Sequence, residues 1–363
     1  MPLSLVGSEM CIRDSRCRRM SIQKTLLVSE TYTTESGFVF KEFELGYHSW
    51  GSLNKNGDNV ILIFHALTGD SNAEDWFHGF FSQESPIDLD HHYVLCINTP
   101  GSCYGSTGPQ SLNPQTHKAY GPDFPVLSIR DIVQMEQHLL NHLQINSIQC
   151  AIGGSMGGMI ALEFALIDPR IQRTFLMAMG KAHTAWSIGL SHLQRQAIYQ
   201  DPHWKAGWYT AEAPPSQGLA LARQIGMMTY RSPEDYEAKF GRDIHEITND
   251  PYYQVESYLD YQGQKLNKRF DALSYERLTR SMDTHDISRD RSSFKEVAKQ
   301  LTIPIHVVGI LSDALYPISE QKDLAQLLPN GQFTALESPY GHDAFLIEFD
   351  QLTQILSRFL ATT

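Results

Sequence analysis

The run Gly153-Gly154-Ser155-Met156-Gly157 sets a hydroxyl among glycines where an apolar stretch gives way to a helical one. The chemistry this suits is nucleophilic acyl transfer. A serine on a sharp strand-to-helix turn holds its hydroxyl clear of the backbone, and the helix aims unpaired N–H groups at negative charge developing beside it. Glycine at 153 and 157 lets neighbouring backbone pass close to the turn. Out of context the same residues would be an ordinary glycine-rich turn. The context is what points to a nucleophile: Ile148–Ile152 before it reads as a buried strand, and Met156–Ile167 after it reads as a helix.

A serine hydroxyl is a weak nucleophile without a base. In a site of this kind the acid and base follow the nucleophile in the chain order Ser, Asp or Glu, His. The acid belongs just after a late strand. Ile303–Ile310 runs into Leu311-Ser312-Asp313, which nominates Asp313. The base belongs in the loop after the last strand, and Ser338-Pro339-Tyr340-Gly341-His342-Asp343 nominates His342. The chain has fifteen histidines, so His342 stands out by position and not by type. His306, inside a strand, reads as structural. Asp323 and Asp343 are alternative acids, the first within a helix and the second beside the base itself. An oxyanion needs two N–H donors. Met156, next to the nucleophile, offers one. Leu67, in the loop His65-Ala66-Leu67-Thr68-Gly69, offers the other, with His65 as a brace for that loop; the plain alternative is a tight turn.

These residues need a scaffold. Short apolar runs predict strands covered on both faces at Val60–His65, Tyr93–Ile97 and Ile148–Ile152, and Thr174–Met179, Ile303–Ile310 and Gln332–Leu336 are expected to be further strands. Phe38–Trp50 alternates as an early antiparallel strand should. Helical periodicity covers Val126–Leu143, Met156–Ile167 and Phe345–Leu360. Strands alternating with helices imply an α/β fold with a mostly parallel sheet and helices on both faces. Residues 181–300 break the alternation. They carry helical patterns, proline-rich joints and aromatics such as Trp186, Trp204, Trp208 and Tyr230, but no convincing buried strand. They are expected to form a helical lid inserted into a core of residues 20–180 and 301–363. Residues 1–19 show no periodicity. Arg13, Arg16, Arg18 and Arg19 follow the apolar part and Glu9 interrupts it, which is not a signal-peptide pattern. They are expected to be a non-native or disordered extension, with the start at Met20.

Composition excludes several functions. A formal net charge of −12 argues against sequence-independent nucleic-acid binding, which needs clustered cations. The run Val60–Phe64 is far too short to span a bilayer. Five cysteines without C-x-x-C spacing fit a reducing, cytoplasmic setting and give no zinc site. There is no G-x-x-x-x-G-K-[ST], no H-E-x-x-H and no G-x-G-x-x-G, and His245-Glu246 lacks a second histidine. No metal and no permanently bound cofactor is expected.

NVILIFHALTGDSNA (59–73), GSCYGSTGPQSLNP (101–114), YGPDFP (120–125), AIGGSMGGM (151–159) and YGHDAFL (340–346) together resemble the homoserine O-acyltransferase family of the α/β-hydrolase fold, over residues 25–360. The resemblance implies transfer of an acyl group from an acyl-CoA to the hydroxyl of L-homoserine, in methionine biosynthesis, through an acyl-serine, by a homodimer. It matches Ser155, Asp313 and His342 to the triad. It matches Arg223 to the residue holding the substrate carboxylate, Tyr230 to a substrate contact and Asp343 to the group binding the substrate ammonium. By residue type alone, Arg223 reads as a surface helix charge. Succinyl-specific members place an arginine two residues after the triad aspartate, where this chain has Leu315. An acetyl donor, acetyl-CoA, is therefore expected. The rivals are an esterase with the same triad, a serine O-acyltransferase, and a non-catalytic binding protein on the same fold.

Overall fold

The computed structural model describes residues 21–81, 85–246 and 250–361. The expectation for residues 1–19 lies outside them. Among the described residues, the main sheet has eight strands: β1 (Lys24–Val28), β2 (Phe43–Trp50), β3 (Val60–Phe64), β4 (Tyr93–Ile97), β5 (Ile148–Gly154), β6 (Thr174–Met177), β7 (Ile305–Ile310) and β8 (Gly331–Leu336). Their spatial order is β1-β2-β4-β3-β5-β6-β7-β8. The β1–β2 and β2–β4 pairings are antiparallel and the remaining pairings are parallel. The helices of eight residues or more are α1 (Ile129–His142), α2 (Met156–Ile167), α3 (Ala185–Tyr199), α4 (Ser216–Tyr230), α5 (Pro233–Phe240), α6 (Gln254–Asn267), α7 (Ala272–Asp283), α8 (Ile318–Leu327) and α9 (Phe349–Ala361).

The strand period of two explains why the central runs are apolar throughout. On β3, Val60, Leu62 and Phe64 enter one core cluster with Met156, Met159 and Ile160 of α2. Ile61 and Ile63 enter the other, with Phe345 and with Leu352, Leu356 and Phe359 near the end of the chain. The strand β4 divides in the same way, Tyr93, Leu95 and Ile97 against Val94 and Cys96. Helix α2 is buried from Met156 to Phe164, so it is hydrophobic all round rather than on one stripe.

Element ends depart from the sequence reading for local reasons. The expected strand Phe38–Trp50 is broken: Val39–Phe40 pairs with Tyr32–Thr33 in a separate small hairpin, and only Phe43–Trp50 joins the main sheet. Helix α1 starts at Ile129 because Ser128 and Asp131 form a reciprocal cap, Ser128 Oγ accepting from the Asp131 amide at 3.0 Å and Asp131 Oδ2 from the Ser128 amide at 2.9 Å. The last helix begins at Phe349, not Phe345, because Gly341–Leu346 forms a 3-10 turn. Strand β6 ends at Met177, before Ala178 with φ of 52°.

Between β6 and β7 lie helices α3 to α7 and a hairpin that pairs the exposed Ile244–Glu246 with the half-buried Tyr252–Tyr253. Helix α4 packs against both α3 and α6. No helix among the described residues is long and apolar enough to cross a membrane.

Candidate active site

Ser155 occupies the turn between β5 and α2 with φ 54° and ψ −127°, outside the regions that side-chain-bearing residues ordinarily adopt. Its amide donates to the Met177 carbonyl at 2.9 Å, which ties the turn to the neighbouring strand. The flanking glycines are required by contact. A Cβ on Gly153 would stand 2.2 Å from the Gly157 carbonyl oxygen, and one on Gly157 would stand 2.2 Å from the Phe64 carbonyl oxygen. The fold thus bends the chain sharply enough to lift Ser155 into a cavity of about 640 Å³, which His342, Asp343, Leu67, Arg223 and Tyr230 also line.

His342 and Asp313 come from the two last strand-end loops, and both are buried. His342 Nδ1 lies 2.8 Å from Asp313 Oδ2. The other carboxylate oxygen, Oδ1, accepts from the Leu315 and Tyr316 amides, each at 2.9 Å. Asp313 is therefore held at both oxygens and presents a fixed anion to the imidazole. Burial disfavours the imidazolium, but the charge and hydrogen bond of Asp313 outweigh it, and the His342 pKa lies above its ordinary value. With Nδ1 on the carboxylate, Nε2 is the atom left to serve as base. No hydrogen bond joins Ser155 Oγ to His342 among the described residues. The Tyr230 and Tyr316 rings lie 5.9 and 5.4 Å from the imidazole and confine it.

Leu67 and Met156 are the oxyanion candidates. Met156 is the first residue of α2, so its amide has no intrahelical partner. No hydrogen bond among the described residues takes either amide. His65 holds the Leu67 loop as a brace: Nδ1 donates to the Ala66 carbonyl at 2.9 Å, and Nε2 accepts from the Thr99 amide at 3.0 Å. Complete burial lowers its pKa and keeps it neutral in that role.

A sequence profile of the alpha/beta hydrolase fold matches residues 59–349. A homoserine O-acetyltransferase from Chlorobium chlorochromatii is 46% identical over 334 residues, covering 92% of this chain and 93% of that protein. The chain belongs to the homoserine O-acetyltransferase family. Among solved structures, the homoserine O-acetyltransferase from Bacillus anthracis superposes with a TM-score of 0.88 at 25% identity, over 95% of this chain and 99% of that one. An acetylester hydrolase from Corynebacterium glutamicum superposes with a TM-score of 0.82 at 20% identity, over 94% and 96%. That second likeness shows the fold alone, and the shared fold does not separate a transferase from a hydrolase.

What distinguishes a site in the homoserine O-acetyltransferase family must then lie around the triad. Arg223 and Tyr230, both on α4, line the cavity, with the guanidinium 5.2 Å from the tyrosine ring centroid. Asp343 lines it from the side of His342. Enclosure raises the Asp343 pKa, while Arg231, Arg223 and His342 oppose the rise. Sequence reasoning missed Arg231. Its Nε donates to Asp343 Oδ2 at 3.1 Å from just past the end of α4, so the carboxylate expected to meet a ligand ammonium is also held by a cation of the protein. The residues are 112 positions apart, and nothing local in the sequence links them.

The alternative acids are placed elsewhere. Asp323, on α8, pairs with Lys181. Asp343 points to Arg231 and not to the imidazole nitrogen that Asp313 holds. His306 is bound to Thr334 Oγ1 at 2.9 Å between neighbouring strands, a structural contact. Among the described residues no group of His, Cys, Asp and Glu has the arrangement of a metal site.

Proposed function

We propose that this chain transfers the acetyl group of acetyl-CoA to the side-chain hydroxyl of L-homoserine, giving O-acetyl-L-homoserine for methionine biosynthesis. The observation that carries the reading is one cavity holding a nucleophile with its base and, beside them, a guanidinium and a carboxylate of opposite charge. An amino-acid zwitterion needs that pair at fixed separation, and arginine offers a carboxylate two parallel N–H bonds. An esterase needs neither.

In the first half-reaction His342 Nε2 takes the Ser155 hydroxyl proton as Oγ attacks the thioester carbon. The approach tightens when substrate enters. The Leu67 and Met156 amides hold the oxyanion. The carbon–sulfur bond breaks, His342 returns its proton to the departing thiolate, and acetyl-Ser155 remains. Homoserine then binds with its carboxylate at Arg223 and its ammonium at Asp343, near Tyr230. His342 takes the homoserine hydroxyl proton, the new oxygen attacks the acetyl carbon, and Ser155 leaves with that proton. The helices of residues 181–300 act as a lid that keeps water from acetyl-Ser155. Leu315 is buried and lines the cavity, so the acyl end is apolar and suits acetyl over the second carboxylate of succinyl.

A homodimer is part of this reading. Leu221 and Met228, seven residues apart on α4, and Tyr261 on α6 are 48%, 52% and 58% exposed, an apolar surface that a second copy would cover. The deciding experiment pairs acetyl-CoA or succinyl-CoA with homoserine, serine or water and follows free thiol. Acetyl-CoA with homoserine should be fastest. Equal turnover with water alone would make the protein a hydrolase.

A further inference from the structure

Most arginines among the described residues have carboxylate partners. Arg130 and Arg291 meet Glu163, Arg170 meets Asp168, and Arg277 and Arg280 meet Glu276. Three cations that line the active-site cavity do not: Arg223, Lys265 and Arg269 have no ion-pair partner among the described residues. Arg223 is half-buried and accounted for by the acceptor carboxylate. Lys265 and Arg269 are exposed, so they stand where the cavity opens to solvent.

Their placement is ordered. Lys265 sits in the last turn of α6, and Arg269 follows just past the end of that helix. The Arg269 guanidinium is fixed by three acceptors: Nη1 donates to the Thr68 carbonyl at 2.6 Å and to Tyr104 Oη at 2.8 Å, and Nη2 donates to Thr68 Oγ1 at 3.4 Å. All three are neutral, so the charge stays uncompensated. Asp70 and Asp75 line the same cavity, and the two cations balance their charge there.

We propose that Lys265 and Arg269 form a phosphate-binding clamp at the cavity mouth, which holds the phosphate groups of the CoA donor while its thioester reaches Ser155. This rests on the acyl-CoA reading above and adds where the distant end of the donor binds. Lys265 acts as a movable point charge, and Arg269 as a fixed one. Because Arg269 also holds the loop that carries Leu67, the cleaner test substitutes Lys265.

The measurement is binding of CoA and of pantetheine, which has the same thiol arm but no phosphates, by calorimetry at low and high salt. Wild type should bind CoA more tightly than pantetheine, and added salt should erase the difference. Lys265→Glu should weaken CoA by about five- to tenfold and leave pantetheine unchanged, with Lys265→Arg close to wild type. Turnover should follow: a higher KM for acetyl-CoA, an unchanged kcat, and no change with acetyl-N-acetylcysteamine as donor. Equal weakening of CoA and pantetheine, or no preference for CoA in wild type, overturns the clamp. Lys265-dependent CoA binding without transfer to homoserine would keep the clamp and remove homoserine as the acceptor.

Discussion

The two walls of the cavity are built by different means. Ser155, Asp313 and His342 follow strands and are buried; backbone amides hold Asp313, and the Tyr316 and Phe345 rings flank His342. Arg223, Lys265 and Arg269 come from the helices between β6 and β7 and are half-buried or exposed, with Arg223 beside an aromatic ring and Arg269 on neutral acceptors. One wall holds the imidazole on its carboxylate at 2.8 Å. The other sorts ligands by charge over longer reach and tolerates adjustment. The fold is shared with an acetylester hydrolase, so under the proposed function the choice of acceptor falls to the second wall.

The largest expected effect is on the rigid wall. Ser155→Ala should lower transfer by about 10⁴-fold or more, with no acetyl group on the enzyme by mass spectrometry. Wild type with acetyl-CoA alone should gain one, on the peptide containing Ser155. Acetylation elsewhere would break the comparison at its root. Asp313→Asn comes next, with a loss of about 10³–10⁴-fold, because the imidazole loses the group that sets its tautomer and stabilises its charge. The pH profile sharpens this. The base must be neutral to act, and the pKa of His342 is raised, so kcat/KM for the acetyl donor should rise with pH through a limb above about 6.5, the ordinary histidine value. Removing the Asp313 carboxylate should move that limb to lower pH. A limb that stays in place would mean that Asp313 does not set the charge of His342.

Smaller effects separate the walls further. Leu62→Ala, in the fully buried centre of the sheet, should cost about 2–5 kcal/mol of stability in denaturant unfolding. Arg223→Lys keeps the charge and loses the bidentate fork, which should reduce kcat/KM for homoserine about ten- to a hundredfold and spare acetyl-enzyme formation. Burst kinetics with and without homoserine distinguish the steps. If acetylation of Ser155 slows instead, Arg223 belongs to the donor and the division between the walls is drawn in the wrong place. Leu221→Ala, on an exposed face of the insertion, should change monomer stability by less than about 0.5 kcal/mol. If it also leaves the oligomeric state unchanged in sedimentation, that face is not the dimer contact.

The same division governs what could be read from the sequence. The positions of Ser155 and Asp313 are legible because each follows a strand buried on nearly every residue, and such a strand announces itself, as Tyr93–Ile97 also does; His342 follows the half-buried β8 and is legible only from chain order. The edge of the sheet was not. Lys24–Val28 buries only Val28, so no alternating pattern marks it. Phe38–Trp50 alternates through a turn that sends its first residues to another hairpin. On the other wall, Lys265, Arg269 and Arg231 look like any solvated helix charge. Their meaning comes from what they face across long sequence separations, Thr68 for Arg269 and Asp343 for Arg231, and periodicity carries no information about that.

The insertion also bears on how the molecule assembles. Thr174 pairs with Ile305, so joining β6 to β7 closes a loop of roughly 130 residues, at an entropic cost about 2 kcal/mol above that of a loop one-tenth as long. Synthesis proceeds from the N terminus, and Ser155 leaves the ribosome well before Asp313 and His342. In the proposed mechanism Ser155 gains its acid and base only when the loops after β7 and β8 dock. On that reading the nascent chain would carry its nucleophile unarmed, and reactivity would arrive only with the last two strands.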